Sequence, residues 1–167
     1  RTLGAISLPK VRDSYVQTVK DAGLYVDAET ADLAARKSMG HPYMVQLVGY
    51  YMWRSAVRRG SQAIERRDVE AGHADAVSEF YEAVDAPLYY GLRSPQCLFI
   101  EAMAADEGKP THMADIIERC DRTQSWASKY RASLIRERVI EAAGYGLVRF
   151  TVPMLGEYIR DRVLWHE

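Results

Sequence analysis

Between Arg119 and Arg138 the sequence places six basic residues, Arg119, Arg122, Lys129, Arg131, Arg136 and Arg138, against two acids, Asp121 and Glu137. Gln124, Ser125 and Ser128 lie in the same stretch. Guanidinium and ammonium groups hold phosphate oxygens, while Gln and Arg present donor and acceptor patterns that match base edges. Arg122, Gln124, Ser125, Ser128, Lys129 and Arg131 are therefore candidate DNA contacts. Tyr145 and Arg149, further on, could touch the DNA backbone or minor groove. The competing reading is a solvated basic helix face that packs against, or docks, another protein.

A second stretch, "KSMGHPYMVQLVGYYMW" over residues 37–53, opens on Gly40-His41-Pro42. Glycine lets the backbone come close to a planar ring, and proline offers a flat apolar face with no donor to satisfy. The positive end of a helix starting at Pro42 would attract phosphates nearby. A plain joint between two helices is the alternative. Other chemistries find little support. Cys97 and Cys120 form no CxxC and are expected to be reduced and buried in a cytosolic protein. His41, His73, His112 and His166 have no metal-ligand spacing. No serine sits in a GxSxG context, so no catalytic residue is expected in the chain.

The elements that would position these residues are mostly helical. Pro9 suits the first turn of a helix to about Leu24, with Val11, Tyr15, Val19 and Ala22 inward. Asp27 reads as the N-cap of an alanine-rich helix with Ala28, Ala31, Ala34 and Ala35 inward, and Gly40 as its left-handed C-cap. The helix from Pro42 to about Arg59 is apolar on every side, which predicts a central helix packed all round. A fourth helix runs from about Arg67 to Val84. The stretch "DAPLYYGLRSPQ" then reads as a packed connector, so the chain divides into 1–86 and 87–167.

In the second part Ser94 is the expected N-cap and Pro95 the first residue of a helix with Leu98, Ile100, Ala102 and Met103 inward. Thr111 is expected to cap a short helix holding Met113, Ile116 and Ile117. A third helix, about Gln124 to Arg136, brings in Trp126, Tyr130 and Leu134. Val148, Phe150 and Val152 alternate with polar residues as a strand, Val139 to Ala142 supply its partner, and Gly144-Tyr145-Gly146 makes the turn. Pro153 stops the strand and starts a last helix. The fold class expected is mostly α: a four-helix bundle of lid type, then a winged helix-turn-helix with a small β-hairpin.

This order resembles the C-terminal part of the STAND branch of the AAA-type ATPases, in particular its bacterial and archaeal ATP-binding proteins. "ISLPKV" (Ile6 to Val11) resembles the segment that leaves the nucleotide core. "SMGHPYMVQLVGYYMW" resembles the Gly-X-Pro head of a lid helix. "SPQCLFIEAMAADEG" and "SKYRASLIRERVIEAAGYGLVRFTVPMLGEYIR" resemble the winged helix. The resemblance implies that Gly40, His41 and Pro42 lie against the adenine of ATP or ADP. Nothing here is similar to GxxxxGK[ST], so the phosphate cradle and magnesium ligands are implied to lie in an upstream nucleotide-binding core. Tyr43 stands where many relatives carry a γ-phosphate arginine, with Arg36 and Lys37 as candidate substitutes. A slow ATPase is implied for the whole protein and no catalysis for this piece.

The partners expected are that core, and DNA or a protein at the winged helix. The apolar run Tyr43–Trp53 is interrupted by Gln46 and closed by Arg54, too short to cross a membrane, and a cytoplasmic location is expected. The chain opens at Arg1 without methionine and is expected to be a piece of a longer protein. A second reading is a self-standing winged-helix transcription regulator whose first four helices sense a ligand or dimerise. Tyr43, Tyr50, Tyr51 and Trp53 would then line a small-molecule pocket. A third is a purely interaction-mediating module.

Overall fold

The computed structural model describes residues 4–164, and the chain is mostly helical. Arg1, the expected boundary of the piece, and His166 lie outside the described residues. The chain divides into two compact units, Arg1–Phe80 and Tyr81–Glu167, where the sequence reading places the division between 86 and 87.

The first unit contains α1 (Leu8–Asp21), β1 (Tyr25–Val26), α2 (Ala28–Ser38), α3 (Pro42–Arg58), β2 (Ala63–Ile64) and α4 (Arg66–Phe80). Pro9 lies in the first turn of α1, where its missing N–H costs nothing, and Val11, Tyr15 and Val19 are buried. Asp27 caps α2 by accepting from the Thr30 N–H at 2.7 Å. Ala31, Ala34 and Ala35 go inward, while Ala28, at the helix start, is exposed. A short parallel pairing not foreseen in the sequence joins β1 to β2, with Tyr25 opposite Ala63 and Val26 opposite Ile64.

The core centres on α3 and α4. Gly72 lets them meet backbone to backbone: a side chain there would sit 2.6 Å from the Met52 nitrogen. Met44, Leu47, Val48, Met52 and Ala56 are buried, but Tyr50 and Trp53 are 52% and 37% exposed and Val57 45%. The expectation of an all-round buried helix is therefore corrected. The reason lies on α1, whose Ser14 and Thr18, with Ala22 at its C-cap, are too small to fill the space beside α3. A cleft of about 440 Å³ remains there.

The second unit opens with a π-helical segment, Tyr81–Asp85, which replaces the expected α-helical run to Val84. The expected connector is itself helical, α5 (Ala86–Gly91). Then follow α6 (Ser94–Ala104), β3 (Thr111–His112), α7 (Met113–Cys120), α8 (Gln124–Arg136), β4 (Ile140–Gly144), β5 (Leu147–Phe150), α9 (Leu155–Tyr158) and a second π-helical segment, Ile159–Val163. The order β3-β5-β4 makes a three-stranded antiparallel sheet. The expected bundle and hairpin are both present, and the hairpin gains an extra strand.

Three local expectations change. Arg93, not Ser94, is the N-cap of α6, because the Gln96 side chain reaches back to accept from the Arg93 N–H at 3.0 Å. Thr111 is a strand residue paired with Val148, its hydroxyl bonded to the Met103 carbonyl, and so cannot cap α7. Pro153 does not start the last helix: Met154 takes a left-handed conformation and α9 begins at Leu155. The core gathers Phe99, Ile100, Met103, Ile116, Leu134, Ile140, Val148, Leu155 and Ile159. Cys120 is buried and Cys97 half-buried, a correction to the expectation that both are enclosed; both are free thiols.

Candidate functional site

The corner at 38–42 is built from hydrogen bonds that leave little freedom. Ser38 is fully buried, gives its hydroxyl to the Ala35 carbonyl at 2.6 Å and accepts from the Gly40 N–H at 3.2 Å. Met39 is the left-handed cap of α2 (φ 56°), and Gly40 follows it in the same region (φ 69°). The left-handed cap therefore falls one residue earlier than expected, and two consecutive left-handed residues make the corner.

Gly40 is needed for a reason within the chain. Its carbonyl accepts from the Ile6 N–H at 2.8 Å, and a Cβ would lie 2.3 Å from the Ile6 carbonyl oxygen. The backbone that approaches this glycine is thus that of Ile6, and Gly40 is buried. His41 and Pro42 are half-buried. His41 is the N-cap of α3, its Nδ1 accepting from the Met44 N–H at 3.5 Å. That acceptance fixes the neutral ring's proton on Nε2. Burial lowers the imidazole pKa below its ordinary value, which favours the same neutral form.

Phe80 stands behind the corner, with His41 edge-on at 5.3 Å and Tyr43 tilted against it at 5.8 Å. Sequence reasoning missed Ile6, Ser38 and Phe80 as parts of this corner. A serine two residues before a glycine was the one local signal for Ser38.

The tyrosines and tryptophan of α3 do not share one pocket. Tyr50 and Trp53 line the cleft beside α1, together with Tyr15, Thr18, Val45, Gln46 and Gly49. Tyr51 instead lies under the Arg54 guanidinium at 4.6 Å, and Tyr43 packs on Phe80. Among the described residues no charged side chain lines the cleft.

In the second unit Thr123 caps α8 by accepting from the Trp126 N–H at 3.1 Å. Trp126 is 6.2 Å from Phe99 and 5.1 Å from Tyr130, and Ala127, Ser133 and Leu134 are buried beneath. This leaves Gln124, Ser125, Ser128, Lys129, Ala132 and Arg136 exposed. Five of the eight sequence candidates thus reach solvent without an ionic or backbone engagement among the described residues: Gln124, Ser125, Ser128, Lys129 and Tyr145. Lys129 does lean over the Tyr130 ring at 5.4 Å. Tyr145 is fully exposed at the hairpin turn between two left-handed glycines, Gly144 and Gly146.

The other three are placed differently. Arg131 is half-buried at the edge of the exposed row, seven residues on from Gln124. Arg122 is exposed but gives its guanidinium to the Cys120 and Asp121 carbonyls, both at 3.2 Å. Arg149 is paired with Glu141 across the hairpin at 2.6 Å. Arg136 joins the exposed row instead, and its spacing of seven from Lys129 was the signal for it.

Gln96 ties α6 to α8 from inside: its amide donates to Ser133 at 3.1 Å and to Glu137 at 2.8 Å. Glu137, one of the two acids in the basic stretch, is thereby turned toward α6. Asp106 holds Arg119 through two bonds of 2.9 and 3.0 Å, which withdraws one cation from the basic stretch. Among the described residues no group of three His, Cys, Asp or Glu side chains is arranged to hold a metal ion, and no helix is long and apolar enough to cross a membrane.

A family model described as "Domain of unknown function (DUF8462)" matches residues 87–159. No curated protein matches the sequence. Among solved structures the fold is similar to RuvB of Thermotoga maritima, described as a Holliday junction branch migration motor, at 10% identity and a TM-score of 0.43. That match covers 95% of this chain and 50% of the RuvB chain. A mutant of the same RuvB matches at 10% identity with a TM-score of 0.45, over 95% and 50% of the two chains. The chain thus spans about half the length of the solved structures it matches.

Proposed function

We propose that this chain is the helical lid and winged-helix part of a nucleotide-switched ATPase of the STAND/AAA type. ATP or ADP is held by an upstream core, and the head of α3 closes over the purine. The observation that carries this reading is the corner at Met39–Pro42. Two left-handed residues and the neutral N-cap His41 hold an imidazole and a proline ring half-open at the positive end of a 17-residue helix.

His41 offers an Nε2–H donor and Pro42 an apolar face, which together suit a purine edge and its ring plane. Gly40 contributes by shape: it lets Ile6 close behind the corner. The chain itself supplies neither phosphate cradle nor magnesium ligand, and catalysis belongs to the core. Nucleotide state then shifts the population of winged-helix positions, and α8 with the hairpin presents DNA or protein contacts.

Pro42→Glu in the full-length protein tests this directly. It keeps the first-turn position, where acidic residues are tolerated, and puts a carboxylate where the purine would lie. Affinity for a fluorescent ATP analogue should fall at least tenfold while the melting temperature moves by no more than a few degrees. Unchanged affinity would sink the lid reading. Gly40→Val is unsuited to this purpose, because it collides with Ile6 whatever binds nearby.

The uncharged cleft between α1 and α3 favours a second reading, a self-standing regulator that senses a neutral ligand. That reading expects sequence-selective DNA binding by this chain alone.

A further inference from the structure

Two aspartates are fully buried among the described residues, and they are treated in opposite ways. Asp68 accepts from Ser55 at 2.8 Å, from the Arg59 guanidinium at 2.6 Å and from the Glu65 N–H at 2.8 Å. Asp85 is equally buried, at 0% exposure, yet among the described residues neither of its carboxylate oxygens has a hydrogen-bond partner. Every other buried polar side chain of its unit, Gln96, Thr111 and Ser133, has one. An ionised carboxylate in that position would cost several kcal/mol.

The groups around Asp85 offer no relief. Its own π-helical segment supplies Tyr81 and Glu82, and α5 supplies Tyr89, whose hydroxyl is given to Glu101. From α9 come Glu157 and Tyr158, and from the second π-helical segment Arg160, Asp161 and Arg162. Asp161 is engaged by the Tyr81 hydroxyl at 3.0 Å. Both guanidiniums are committed elsewhere: Arg160 donates to the Ala104 carbonyl at 2.6 Å, and Arg162 lies over the Tyr81 ring at 5.5 Å. Burial first, and the Glu157 charge second, push the Asp85 carboxyl up to about 8.

Asp85 also closes a π-helical segment, a geometry that carries an extra residue in its turn and occurs often at functional sites. Relaxation to α geometry shifts the register by one residue, a rotation of about 100° that would carry the Asp85 side chain off its buried face. We propose that the segment Tyr81–Asp85 is a proton-operated latch, closed while the Asp85 carboxyl is a neutral acid and opened as that proton passes to solvent. This inference does not depend on nucleotide or DNA binding.

Amide hydrogen exchange over Tyr81–Tyr89 tests the latch, read as the ratio of protection in the unaltered chain to that in Asp85→Asn. The ratio cancels the intrinsic pH dependence of exchange. The open form holds an ordinary carboxylate and the closed form a neutral acid. The ratio should therefore fall by up to about tenfold per pH unit between pH 5 and 8, then level. A ¹³C titration of the Asp85 carboxyl should find its midpoint above 7. A ratio constant from pH 5 to 8, or a carboxyl that titrates near 4, would overturn the proposal. Should Asp85→Asn fail to fold, Asp85→Leu serves as the reference, and the carboxyl titration decides on its own.

Discussion

At the scale of single residues, a side chain's role here follows from what its hydrogen-bonding atoms meet. Asp68 and Asp85 show this most plainly, one held as an anion by four donors and the other left without any. His41 is a milder case. Its Nδ1 accepts from a helix N–H, so a proton on that nitrogen would set donor against donor. Burial lowers its folded pKa, and His73 shifts the same way through burial and then Lys37. The unfolded chain therefore binds protons more readily than the folded one near pH 6.5. Stability is present above that value and is lost as pH falls through the lower folded pKa values. Asn keeps an acceptor at the cap and cannot titrate. His41→Asn should thus leave stability at pH 8 nearly unchanged and flatten its decline between pH 7 and 5, as read by urea unfolding at each pH. An equally steep decline in the variant would remove His41 from this account.

At the scale of elements, what was legible in the sequence was whatever rests on local chemistry. Asp27 caps where its type and position say it should, and α8 runs over the foreseen residues because Thr123 caps it and its apolar positions repeat at helical spacing. What was not legible depends on contacts far along the chain. Thr111 reads as a cap until Val148 is there to pair with it. The apolar girth of α3 reads as full burial until α1 proves too small-sided to cover Tyr50 and Trp53. Gln96 carries no sequence signal of its role, yet it is the buried tie to Ser133 and Glu137. At the corner, glycine and proline were legible as a bend, but the partner of that bend, Ile6, was not.

Gly72 is the sharpest such case, since nothing near it in sequence announces that the α3 backbone lies against it. A methyl group there would sit within 3 Å of the Tyr51 carbonyl carbon and of Met52 backbone atoms, none of which can rotate away. Helix propensity alone would make Gly72→Ala stabilising by up to about 1 kcal/mol. Overpacking costs about 1–3 kcal/mol, more where backbone is struck, so collision should win. The expected result is a loss of at least about 2 kcal/mol in urea unfolding. Gly91→Ala, with open space around its Cβ position, should show no such loss.

At the scale of the whole molecule, the question is how a chain of net charge −1 could hold a polyanion. The answer lies in how its charges are tied. Asp106 occupies Arg119, Glu141 occupies Arg149, and Gln96 engages the carboxylate of Glu137, so that Lys129 and Arg136 remain on the exposed row of α8. Two cations on that row are few: each phosphate contact contributes about −0.9 to the slope of log affinity against log salt. Binding of duplex DNA by this chain, if it uses this face, should therefore be weak and have a slope near −2 from α8. Lys129→Ala with Arg136→Ala should flatten that slope by about 2 in fluorescence anisotropy, whereas Arg131→Ala, half-buried at the edge of the row, should flatten it less. Tyr145→Ala should lower affinity without altering the slope, because an uncharged ring at the hairpin tip releases no counterion. Undetectable binding at 20 mM salt would assign the face to a protein partner instead. In that case the same double substitution should weaken capture of an acidic partner and leave an apolar one untouched.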